Sequence, residues 1–372
     1  MQYTINKQLL NQFTNTHNSD SDIKAFRTYT KTCQDFNILP HYQIIESSTP
    51  FYNLSKQYDI LIATTREELH NAIAYKKNQY YMFLHKKRDS EISKSCHIIE
   101  SNNEALSLLN KAQQPSPTIG FTPTMGALHN GHKSLITANV AQNHISIVSI
   151  FVNPTQFAPT EDLDKYPRTI EKDIELCGNN DVDILFIPTN ETIYQENDEI
   201  TLNPPKKMGY ILEGYYRPTH FAGVLQVVLK LFNLIMPTHA YFGQKDAQQL
   251  LIIQKMVQHL CLPIKIIGMP IVRDSDNLAL SSRNVYLNTQ ERKKALAIPT
   301  TIFHLQTRIV NDGMRNRKIL KQEAKEILKD LEIDYMDFYT YDLQFAKEAR
   351  ECIFLLAIRM GAIRLLDNLW IQ

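Results

Sequence analysis

No CxxC pair occurs among the five cysteines (Cys33, Cys96, Cys177, Cys261, Cys352), which are scattered and odd in number. That argues against a structural zinc site or a disulfide framework and favours a reducing compartment. No apolar run reaches the roughly 18 residues a membrane-spanning helix needs. The start, MQYTINKQLLNQF, has neither a basic leader nor a sustained apolar segment, so a soluble, cytoplasmic protein without a membrane partner is expected. An excess of one charge is missing too: 40 Lys and Arg stand against 39 acids, a balance of +1. Without a global field there is no reason to expect nucleic acid as a partner, and any anion site must be local. The phosphate loop GxxxxGK[ST] is absent, and the glycines around Gly126 do not fit GxGxxG, which sets aside ordinary P-loop kinases and dinucleotide binding.

What is present is a chain of 372 residues, long enough for two or three units with buried cores. Residues 1 to 95 read as a separate, divergent α/β module. YDILIATT (58–65) is a candidate strand, REELHNAIAYKK a helix, YYMFL (80–84) a second strand, and HKKRDSEISKS (85–95) an exposed linker with a solvated basic face. From residue 97 strands and helices alternate: HIIE, then NNEALSLLNKA, PTIGF, KSLITANVAQ, HISIVSIFV, RTIEKDIELC, VDILFIP, GVLQVVLKLFNLIMP, AYFG, QQLLIIQKMVQHL and IKIIGMPIV. Such alternation predicts a doubly wound, Rossmann-like sheet with ligands at the carboxyl ends of its strands.

The organising stretch is PTIGFTPTMGALHNGHKSL, a strand end, a glycine-broken turn and a helix start. Unpaired backbone N–H groups and the positive end of a helix at such a junction suit an anion such as phosphate, and His129 and His132 stand there three apart. Polar groups gather at the other strand ends: Asn153 and Gln156 after one, then Gln244, Lys245, Asp246, Gln248 and Gln249, then Arg273, Asp274, Asp276, Ser281, Ser282, Arg283 and Asn284. Lys245 and Arg283 can meet charge on phosphate oxygens, the serines add neutral donors, and the amides can orient a small polar substrate. Singly these residues have plain alternatives, with Lys245 solvated, Asp246 a helix cap and the serines turn residues. A metal-hydrolase reading would use His129, His132 and His220, but no third ligand lies near the first two in sequence.

The blocks GFTPTMGALHNGHKSL, SIFVNPTQF, DLDKYPRT, YYRPTHFAGV, YFGQKDAQQL and RDSDNLALSSRNVYL, in this order, resemble the pantothenate synthetases, the pantoate–β-alanine ligases of the nucleotidyltransferase superfamily. The likeness covers about residues 97 to 372. It implies a Rossmann-like domain for ATP and pantoate over 96–285 and a smaller α+β C-terminal lid over 286–372, the latter ending in LLAIRMGAIRLLDNLWI, and it leaves 1–95 unexplained. As the resemblance has it, His129, His132, Lys245 and Arg283 are catalytic. Pro123, Met125, Gly243, Asp246, Ser281 and Ser282 join them around ATP. Gln156, Gln249, Asn153 and Met125 hold pantoate, and Tyr166 belongs to a flap over the cavity. It further implies Mg²⁺, β-alanine as the second acceptor and a homodimer.

The implied reaction runs through a pantoyl adenylate, because an amine cannot expel oxide from a free carboxylate. Two departures stand out. Gln244 replaces a common glutamate, and Lys172 replaces a frequent acid, which leaves Asp173 as the metal-side candidate. Two other readings stay open here: a relative that adenylates a different acid or uses CTP, and a silent binding protein on the same scaffold. For residues 1–95 the readings are an interaction appendage or a degenerate enzyme domain.

Overall fold

A computed structural model describes residues 21, 23–25, 27, 60–95, 116–158, 161, 163–194, 199–361 and 363–372, with side chains to residue 81 in the second segment. The candidate strand HIIE and helix NNEALSLLNKA lie outside the described residues. Six strands form one parallel sheet: β1 (Leu61–Ala63), β2 (Ile119–Thr124), β3 (Ile145–Ile150), β4 (Ile184–Phe186), β5 (His239–Gly243) and β6 (Lys265–Met269). Their order is β1-β4-β3-β2-β5-β6. The chain moves from β2 outward to β4 and then crosses to β5 on the other side of β2. The order therefore reverses beside β2, where a crevice opens at the strand carboxyl ends. All six residues of β3 are buried, as a strand covered by helices on both faces requires.

Two segments differ from the reading of the sequence. YYMFL is helical, part of one helix from Arg66 to Ser95 that also takes in the expected linker 85–95. Leu69, Ala72, Ile73 and Tyr80 are all buried, so a helical period runs on into the aromatic run and overrides its local strand character. The strand before this helix is an integral edge of the main sheet, with Ile62 paired to Leu185 of β4. Asp183, at the start of β4, accepts from Arg27 at 2.7 Å and from the N–H and hydroxyl of Ser146, with Lys76 3.4 Å away. Contacts thus run across residue 95 into the sheet.

A second, antiparallel sheet of β7 (Glu332–Tyr339), β8 (Cys352–Met360) and β9 (Ile363–Ile371) has its own core with the helix Ala297–Val310, built from Ile298, Ile302, Leu305, Phe338, Phe354 and Ile358 among others. The terminal hairpin read from LLAIRMGAIRLLDNLWI is β8 and β9. Charged contacts join this unit to the main sheet's loops: Arg364 pairs with Glu213 at 2.7 Å, Tyr335 donates to the same carboxylate, and Arg273 grips Asp367 through both carboxylate oxygens. Among the described residues no helix is long and apolar enough to cross a membrane.

Candidate active site

The turn after β2 takes its shape from Gly126 and Ala127, both with positive φ (81° and 49°). Only glycine adopts that conformation without strain, and Ala127 follows it because Asp173 holds the turn from below. The two Asp173 oxygens accept the N–H groups of Ala127 (2.9 Å) and Leu128 (2.8 Å), and Thr169 adds a hydroxyl at 3.1 Å. Asp173 is buried, and burial raises its carboxyl above the ordinary value against the pull of those donors.

The helix Asn130–Gln142 begins with an unusual cap. His129 is its N-cap, and Nδ1 of His129 accepts the N–H of Gly131 at 3.1 Å. Nδ1 of His132 reaches back to accept the N–H of His129 at 3.3 Å. Both rings accept at Nδ1, so in the neutral form each must carry its proton on Nε2. They are neutral: burial, with Lys245 nearby, lowers His129 to about 4, and burial beside His129 lowers His132 to about 3. The junction therefore differs from the expected backbone anion site. The N–H groups of Ala127, Leu128, His129 and Gly131 already have partners within the protein. What this wall offers an anion is a pair of imidazole N–H donors.

The second wall follows β3. In the 3-10 turn Pro154–Gln156, Asn153 donates to Gln156 Oε1 at 3.3 Å and to the carbonyl of Gly223 at 3.2 Å. Gln156 in turn donates to the Met125 sulfur at 2.8 Å. The Gln156 carbonyl accepts from His220 Nδ1 (3.0 Å) and Arg217 (3.3 Å), and Arg217 also binds Glu161 at 2.7 Å. Burial, then Arg217, lowers His220 to about 4. Sequence reasoning gave Arg217 no role and His220 only a metal-ligand one. YYRPTHFAGV contains both, but nothing in its spacing says that they hold a backbone carbonyl.

The third wall is the 3-10 turn Gln244–Asp246 with the start of the helix Ala247–His259. Burial works against the Asp246 carboxylate, but Lys245, 3.2 Å away, holds it below the ordinary value. Gln248, one of the rim amides, instead pins the preceding loop, bonded to the carbonyls of Met208 and Ile211 and the N–H of Glu213. The fourth wall is Ser281–Arg283, where Ser281 caps a short 3-10 helix and Ser282 lies 3.4 Å from the Tyr166 hydroxyl.

These walls enclose a cavity of about 250 Å³. It is lined by Pro123, Met125, His129, His132, Asn153, Gln156, Tyr166, Gly243, Lys245, Asp246, Gln249, Ser281, Ser282 and Arg283. A second cavity of about 610 Å³ shares Arg217, His220, Lys245, Asp246, Gln249, Ser281 and Arg283 with it and extends to Tyr335, Arg359 and Arg364 of the C-terminal unit. Asp173 lines neither, because its carboxylate shapes the turn. Among the described residues no group of three His, Cys, Asp or Glu side chains stands together that could hold a metal ion.

A parallel sheet with its reversal beside β2, and a cleft of donors at the strand carboxyl ends, define an enzyme with a nucleotidyltransferase-like fold. The sequence profile of the pantoate-beta-alanine ligase family matches residues 97–370, and the chain belongs to that family. Curated relatives called pantothenate synthetase include those of Helicobacter acinonychis, 51% identical over 258 residues (68% of this chain, 93% of the relative), and Wolinella succinogenes, 51% identical over 256 residues with the same shares. Among solved structures, a pantothenate synthetase from Thermus thermophilus aligns with a TM-score of 0.66 at 36% identity, covering 71% of this chain and 96% of that one. A Francisella tularensis pantoate-beta-alanine ligase, solved in complex with beta-gamma ATP and β-alanine, aligns with a TM-score of 0.61 at 31% identity, covering 84% and 97%.

Proposed function

We propose that this chain condenses pantoate with β-alanine at the expense of ATP, through a pantoyl adenylate. The observation that carries the reading is the convergence of six separate sequence segments on one 250 Å³ cavity, which brings amides and Met125 together with imidazole, ammonium, hydroxyl and guanidinium donors. In the first step a pantoate carboxylate oxygen attacks the α-phosphorus of ATP, the bond from that phosphorus to the α,β-bridging oxygen breaks, and pyrophosphate leaves with that oxygen. The Nε2–H groups of His129 and His132, with Lys245, Ser281, Ser282 and Arg283, donate to the departing charge. Pro123, Gly243 and Asp246 border the nucleotide. Gln156, oriented by Asn153, and Gln249 hold pantoate beside Met125. In the second step the neutral amine of β-alanine attacks the pantoyl carbonyl and AMP leaves with the bridging oxygen. Tyr166 and the C-terminal unit, residues 286–372, limit access of water to the intermediate.

The family commonly uses Mg²⁺, but Asp173 is committed to the turn, and no step is assigned to a protein-bound metal. A cation would be held chiefly by the nucleotide's own phosphates.

The test is isotopic. With pantoate labelled with ¹⁸O in its carboxylate, the AMP formed should carry one labelled oxygen, and pyrophosphate should form in a single turnover before β-alanine is added. Unlabelled AMP would overturn the adenylate route. Failure to turn over pantoate with any amine would overturn the substrate assignment.

A further inference from the structure

The place of Lys245 depends on a residue of the last strand. The carbonyls of Gln244 and Lys245 both accept from the Asn368 side-chain amide, at 2.9 and 2.8 Å, and Trp370 Nε1 leans on the first of them at 3.4 Å. Two carbonyl acceptors demand the NH₂ end of the amide, which settles its orientation. Asn368 is buried and lies on β9 of the C-terminal unit, more than 120 residues along the chain from the turn it holds. Its own N–H donates to Asp367 Oδ1 at 2.8 Å, and the Asp367 carboxylate is gripped by Arg273, which precedes Ser281–Arg283. One pair of neighbouring residues on β9 therefore ties down both the Lys245 turn and the base of the loop that carries Arg283. Both donors of the Asn368 amide cross the interface to backbone, and a residue serving only its own sheet would not use them so.

We infer that Asn368 is a positioning residue for Lys245, through which docking of the C-terminal strand sets where the ammonium stands. This rests on the reading of Lys245 as a donor to the departing phosphates. Removing the amide takes the donor from two part-buried carbonyls, leaving that of Gln244 with Trp370 alone, and loosens the turn. The effect falls on the rate of pyrophosphate formation, because the hydrogen bonds of Asn368 run to Gln244, Lys245 and Asp367 and not to the pantoate-holding amides Gln156 and Gln249.

The experiment compares Asn368→Ala and Asn368→Thr in the full chain, each alone and with Lys245→Ala, by single-turnover pyrophosphate release and by pantoate KM. Threonine keeps one donor and suits a strand, so it decides the matter where the alanine variant fails to fold. The expected result is a rate lowered about tenfold by alanine and about threefold by threonine, with pantoate KM within about twofold of the parent. In the Lys245→Ala background neither change should lower the rate further. A folded Asn368 variant with the parent's rate, or losses that simply multiply with that of Lys245→Ala, overturns the inference alone. Full pyrophosphate release by Lys245→Ala itself overturns the reading of Lys245 and takes the role of Asn368 with it.

Discussion

Nδ1 of His132 accepts the backbone N–H of His129 at 3.3 Å, and the two rings lie with their centroids 4.1 Å apart. Each histidine thus has two jobs, capping a helix with one nitrogen and leaving the other to carry the proton. The jobs can be separated. Asparagine is a good acceptor near a helix N-terminus but has no N–H at the position of Nε2. We expect His132→Asn to keep the melting temperature within about 3 °C of the parent, since the effect on a cap is of order 1 kcal/mol or less. Pyrophosphate release should fall about a hundredfold or more, the size of effect that follows removal of a donor aimed at developing charge. Parent-like release from a folded His132→Asn protein would remove this ring from the chemistry.

The same burial makes stability depend on pH in a stated direction. His129, His132 and His220 titrate at about 4, about 3 and about 4 in the folded chain, against 6.5 ordinarily. Below pH 6.5 the unfolded chain takes up protons that the folded chain refuses until pH 4 or lower, so folding weakens as pH falls through that window and is insensitive to these groups above it. Melting temperature should be level from pH 8 to 6.5 with respect to these histidines and drop towards pH 4.5, less steeply in His129→Asn, which has one such group fewer. A melting temperature that rises on acidification through this window would contradict neutral, buried rings. For the same reason the rate of pyrophosphate release should show no inflection near pH 6.5 from either motif histidine.

How much of this was open to reading in the sequence varies by residue. Buried strands such as ISIVSI declare themselves by their Ile and Val content, and the side chains that line the cavity were picked out because strand ends are where such a sheet puts its ligands. YYMFL was not, since its aromatic run looks like a strand and only the spacing of Leu69, Ala72, Ile73 and Tyr80 reveals the helix. Asp173 shows a further limit. A carboxylate beside a motif can bind metal or backbone, and only the fold reveals that two N–H groups of the turn point at it. The donors at the motif changed kind for a related reason, because ring nitrogens two and three residues away took up the N–H groups expected to face an anion.

The edge strand offers a direct check on where the sheet begins. Ile62 is fully buried with Ile60, Ile136, Val148 and Leu185 and pairs with Leu185, although it lies before residue 97, where the family match starts. A carboxylate at this position has no partner for its charge, so Ile62→Asp should destabilise by roughly 3 kcal/mol or more, while Ile62→Val should cost about 1 kcal/mol. Urea unfolding measures both. An unchanged midpoint for Ile62→Asp would show that Leu61–Ala63 is not a strand of this sheet in solution.

Gly223 is where the long apolar helix His220–Ile235 meets the turn Pro154–Gln156 without a side chain between them. A Cβ there would stand 2.4 Å from the Thr155 carbonyl oxygen and 2.6 Å from the Gln156 nitrogen, both backbone atoms with little room to yield. Helix propensity alone argues the other way, since alanine in place of a helical glycine gains up to about 1 kcal/mol. The sign of the change therefore tests the contact. We expect Gly223→Ala to lose roughly 2 kcal/mol by overpacking, with the turn displaced. That displacement carries Gln156, and with it the amide that meets Met125 at 2.8 Å. Pantoate KM should then rise about tenfold while ATP KM stays within about twofold, because the donors proposed for the nucleotide are on other turns. A more stable Gly223→Ala protein, or equal losses for both substrates, would mean that the helix does not set a pantoate contact through Gln156.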